Sequence, residues 1–78
     1  MAKLRMMKTG HGDVALAEWE GTDTETVEVA RTAFRDNLTA GRMAFRLSPS
    51  RGAGFSEPIS EFDPWAEEIL IVPAIQGG

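Results

Sequence analysis

Two glycines, Gly77 and Gly78, are the residues whose type and position most directly suggest chemistry. Neither has a Cβ, so both fit narrow channels and backbone conformations closed to other residues. An enzyme that activates a carboxylate, or cuts beside one, needs a thin and accessible substrate. A Gly-Gly terminus meets that need, and the carboxylate of Gly78 is the electrophile it would present. The residues before it have a matching logic. Ile69-Leu70-Ile71-Val72 are apolar on both faces, as in a central strand. Pro73 cannot donate to a strand ladder, so regular pairing is expected to end there. Residues 73–78 are then expected to project as a tail.

Other candidate chemistry is thinner. His11 stands alone in a glycine-rich turn, with no cysteine and no second histidine to share a zinc ion. Glu57, Glu61, Glu67 and Glu68 lack an accompanying base or nucleophile and read as solvated acids. Arg51-Gly52-Ala53-Gly54 lacks the lysine and hydroxyl residue of a phosphate-binding loop. The absence of cysteine excludes disulfides, thiolate metal sites and a thioester-forming nucleophile. No catalytic residue, cofactor or metal site is therefore assigned, and the protein is expected not to be an enzyme.

A length of 78 residues predicts one domain with a small core. Hydrophobic and charged contents of 42% and 26% are ordinary for a globular chain. The net charge of −4 argues against general nucleic-acid binding. No apolar run approaches a membrane span of about 20 residues. No apolar segment follows Lys3, Arg5 and Lys8 as it would in a signal peptide. A cytoplasmic location is the expectation.

The elements that must position the tail follow from periodicity. Lys3 to Thr9 alternates as a half-buried strand, with Leu4 and Met6 on one face. Gly10-His11-Gly12-Asp13 marks a turn into a second strand, Asp13 to Glu20. Val14 and Leu16 share a parity there that Ala17 and Trp19 do not. Either a bulge intervenes or Trp19 covers the other face. After Gly21, Thr22 and Glu25 fit a capping box, with Asp23 as the alternative cap. The helix is expected to run to about Ala40 and stop at Gly41, burying Val27, Ala30, Phe34 and Leu38.

Arg42 to Ser48 reads as a strand. Met43, Phe45 and Leu47 are expected to face the helix, with Arg42, Ala44 and Arg46 opposite. Ser48 to Ser60 reads mainly as a loop with a short extended piece near Ile59. Asp63-Pro64 predicts a single helical turn over Trp65 to Glu67. Trp19 and Trp65 read as core or rim packing. If Ile69 and Ile71 face the helix, Leu70 and Val72 face away. With Ala44, flanked by Arg42 and Arg46, they make a candidate docking surface.

Strand, strand, helix, strand, short turn, strand, tail is the order of an α+β β-grasp fold: a mixed sheet of four to five strands under one main helix. The last strand is expected in the centre, parallel to the first. In this order, and in the ending Phe62-Asp63-Pro64-Trp65-Ala66-Glu67-Glu68-Ile69-Leu70-Ile71-Val72-Pro73-Ala74-Ile75-Gln76-Gly77-Gly78, the chain resembles ubiquitin-like proteins. It also resembles bacterial ubiquitin-like modifiers and prokaryotic sulfur carriers. The resemblance implies a monomer whose Gly78 carboxylate is adenylated by an activating enzyme, which itself binds ATP and magnesium. The acyl group would then pass to an amine, a thiol or sulfur. A conjugating enzyme and a metallo-isopeptidase are implied as further partners, with no role for nucleic acid or membrane. The ending also resembles the ubiquitin-like domain of phage tail assembly proteins. That leaves a structural assembly factor, or a general protein-interaction module, as the alternative.

Overall fold

The computed structural model describes residues 1–8, 10, 12–52 and 54–73. It is an α+β domain in which one helix covers a five-stranded mixed sheet. Strand β1 spans Ala2–Lys8, β2 Gly12–Trp19, β3 Met43–Leu47, β4 Ser56–Ile59 and β5 Glu68–Val72. The helix α1 spans Thr24–Thr39. The strand order is β2-β1-β5-β3-β4. β5 runs parallel to β1 and antiparallel to β3. The doubly apolar run thus occupies the central position its composition predicts. This arrangement is compatible with a β-grasp.

The conflict of parity in β2 is resolved by a bulge. Leu4 pairs with Ala17 and Arg5 with Ala15, leaving Leu16 as the extra residue. Val14, Ala17 and Trp19 consequently lie opposite Met6, Leu4 and Ala2, all on the helix side. Trp19 is completely buried. Its ring meets Phe62 at 5.0 Å between centroids, and Phe62 meets Phe34 at 5.8 Å. The indole Nε1 donates to the Pro64 carbonyl at 2.9 Å, so this large side chain is buried without an orphaned donor.

Asp23, not Thr22, caps the helix: its carboxylate accepts the Glu25 amide at 3.1 Å. The second capping contact comes from Thr26 instead of Glu25. The Thr26 hydroxyl accepts the Glu20 amide at 3.1 Å and donates to the Asp23 carbonyl at 3.2 Å. At the other end, Gly41 takes a φ of 92°, a left-handed conformation that suits glycine. The Arg42 amide reaches back to Asn37 and the Gly41 amide to Leu38, which completes a Schellman motif.

Val27, Ala30 and Phe34 are buried as the helical stripe requires, with Leu38 at its margin. They meet Leu4, Ile69 and Ile71 of the sheet. Phe34→Ala is expected to cost about 3–5 kcal/mol. Urea denaturation measures it, and a near-neutral value would contradict this packing.

Two loop expectations change. The segment after β3 holds one 3-10 turn, Pro49–Arg51, and then the full edge strand β4. The extended piece near Ile59 grows into this strand because β3 offers it a free edge. Pro58 is tolerated there because an edge strand has one side without a ladder. The helical turn expected over Trp65 to Glu67 is only a turn. Asp63 Oδ1 accepts the Trp65 amide at 2.9 Å and the Asp63 carbonyl accepts the Ala66 amide at 3.1 Å, with no helix following.

Candidate docking face and C-terminal segment

Among the described residues, the sheet has one face under α1 and one that no helix covers. Register assigns each residue to its face, since directly paired residues share one. Leu4 and Met6 pair with Ile69 and Ile71, and these pair with Arg46 and Ala44. Leu4, Ile69, Ile71 and Ala44 belong to the core, so this is the helix side. Arg5 pairs with Leu70. Leu70 and Val72 pair with Phe45 and Met43, and Glu68 pairs with Leu47. These residues form the open side.

Leu70 and Val72 therefore stand on the open face as expected, both half-buried. The other three docking residues do not. Ala44 is 3% exposed and lies in the core, opposite Ile71 and Ile59. Arg46 shares its side of the sheet and ion-pairs with Asp63 at 2.7 Å and with Glu57. Arg42 follows the helix cap, where its guanidinium donates to Asn37 Oδ1 at 3.2 Å. In their place the open face carries Met43, Phe45 and Leu47, which the sequence pattern assigned to the core.

The reversal has a physical cause. A period of two fixes which residues share a face, and a reversed assignment exchanges the whole set. The larger apolar set, Met43-Phe45-Leu47, reads as the inward one. The helix, however, packs more on β2 than on β3. The inner side of β3 therefore needs only the small Ala44 and then Arg46, whose charge is met by Asp63 and Glu57. The sequence does carry a signal for this. Arg46 is the one charged residue within the strand, and Asp63 stands in the loop that returns towards β5.

The resulting face is divided. Val72, Leu70, Met43, Phe45, Leu47 and Pro58 form an apolar half across β5, β3 and β4. Met43 is 48% exposed. Arg5, paired with Asp13 at 2.8 Å and with Glu68, borders it on the β1 side. Such a surface can bury apolar area against a partner. Among the described residues, no group of three or more His, Cys, Asp or Glu side chains gathers to hold a metal ion. None of the helices described is long and apolar enough to cross a membrane.

The two faces predict different outcomes for one type of substitution. Ala44→Asp places a charge in the core and is expected to cost at least ~3 kcal/mol. Val72→Asp is expected to cost only about 1 kcal/mol, within the range of strand substitutions. Urea unfolding of the two variants checks the assignment, and a larger loss for Val72→Asp would reverse it.

The acids read as solvated have structural partners in three cases. Glu57 pairs with Arg46, Glu68 pairs with Arg5, and Glu67 accepts the Ser50 amide at 3.2 Å. β5 ends at Val72, and the exposed Pro73 follows it outside any strand. Gly77 and Gly78, the expected site of activation, lie outside the described residues, as does His11. No protein-family model, curated protein or solved structure matches the chain.

Proposed function

We propose that this chain is a β-grasp domain of the ubiquitin-like kind. It serves as a protein modifier or sulfur carrier through the carboxylate of Gly78. The observation that carries the reading is the position of β5: a central strand, parallel to β1, that ends directly before Pro73 and the sequence Ala74-Ile75-Gln76-Gly77-Gly78. The reading requires a free carboxylate at Gly78, either as encoded or after cleavage of a following segment. An adenylating partner supplies ATP and magnesium. A carboxylate oxygen attacks the α-phosphorus and pyrophosphate leaves. An amine, thiol or sulfur donor then displaces AMP from the acyl-adenylate.

The open apolar half of the sheet supports docking of that partner. Intact mass after incubation with an adenylating enzyme, ATP, magnesium, an acceptor amine and a sulfide donor tests the reading. An amide-linked adduct through Gly78 identifies a modifier, and replacement of one terminal oxygen by sulfur identifies a carrier. An unchanged mass would count against both. The same open face favours a second reading, a protein-interaction or assembly module. In that case Val72→Asp would weaken partner binding, while removal of Gly78 would leave it unchanged.

A further inference from the structure

Trp65 is 72% exposed, yet its ring is held in place. A Cβ built on Gly21 would lie 2.6 Å from both Cε3 and Cζ3 of the indole, so the ring rests directly on the Gly21 backbone. Its neighbours are tied down as well. Asp63 Oδ1 accepts the Trp65 amide, and the Pro64 carbonyl accepts the buried Trp19 indole N–H. A large aromatic side chain is thus fixed on one side and left open on the other.

The ring borders a cleft of about 520 Å³ whose wall also includes Trp19, Glu20, Thr22 and Glu67. Among the described residues that line it there is no lysine or arginine, and Met1, with its terminal ammonium, supplies the one positive charge of that wall. Glu67 also accepts the Ser50 amide at 3.2 Å, outside the cleft wall. The wall therefore combines an indole ring with two acidic residues, Glu20 and Glu67, against one ammonium, and stays net negative on a protein of net charge −4. A cation placed over an indole face is attracted by the ring quadrupole, and adjacent carboxylates add to that attraction. Fixed, exposed tryptophans are also the side chains that dominate binding energy at protein interfaces. We propose that this cleft docks a lysine or arginine side chain from a basic segment of a partner protein. The proposal does not rest on the reading of Gly78.

The test is a fluorescence titration at low salt with a capped peptide of alternating arginine and glycine, and with its glutamate counterpart. The arginine peptide is expected to change Trp65 emission saturably, and added salt is expected to weaken the effect. Trp65→Leu should abolish the saturable response, and the emission of Trp19, buried behind the cleft wall, then reports whether the fold is intact. The double variant E20Q/E67Q should bind about fivefold more weakly. An equal response to the glutamate peptide would overturn the proposal. So would undiminished calorimetric binding by Trp65→Leu. An emission change that follows protein concentration without peptide would instead assign the cleft to a second copy of the chain. Should Trp65→Leu fail to fold, unchanged affinity in E20Q/E67Q overturns the proposal by itself.

Discussion

Trp19→Ala is expected to remove a large share of the chain's stability at 25 °C. The ring is completely buried and packs on Phe62, which in turn packs on Phe34. Truncating a buried tryptophan costs about 3–5 kcal/mol through lost transfer energy and the cavity left behind. The Pro64 carbonyl also loses the indole donor. A chain of this length has in total only about 4–12 kcal/mol of stability, at roughly 0.05–0.15 kcal/mol per residue. Trp19→Phe keeps an aromatic ring but not the N–H, and is expected to lose less. Denaturant midpoints for the two variants measure the difference. A small effect of Trp19→Ala would show that the β2 bulge does not serve to bring Trp19 into the core.

The importance of that bulge bears on what the sequence could reveal. Val14 and Trp19 differ in parity, so an even alternation cannot bury both. The bulge was legible as one of two solutions, but choosing it requires the register with β1. The helix was legible because its stripe, its stop at Gly41 and a cap near Asp23 are all local features. The central place of β5 was legible from its two apolar faces. The orientation of β3 was not. Met43-Phe45-Leu47 and Ala44-Arg46 alternate equally well either way up, and only the off-centre seat of the helix and the Asp63 partner of Arg46 decide between them. For the same reason Leu70 and Val72 were placed correctly on the open face, while Ala44 was not. The Trp65 cleft depends on contact between Gly21 and a ring more than forty positions later, which no local pattern encodes.

The second large effect concerns the tail. Removing Gly77 and Gly78 is expected to abolish activation while barely moving the thermal midpoint, since neither residue has a side chain to bury. Gly77→Val keeps the length of the chain and the carboxylate, and is expected to impair activation because a branched Cβ obstructs a close-fitting channel. ATP–pyrophosphate exchange is the most direct measurement. It should be made with an adenylating enzyme from the same organism, comparing the chain ending at Gly78 with the chain ending at Gln76. The account predicts saturable exchange with the first and none with the second. Equal exchange by the two chains would contradict the claim that the Gly78 carboxylate is the reactive group.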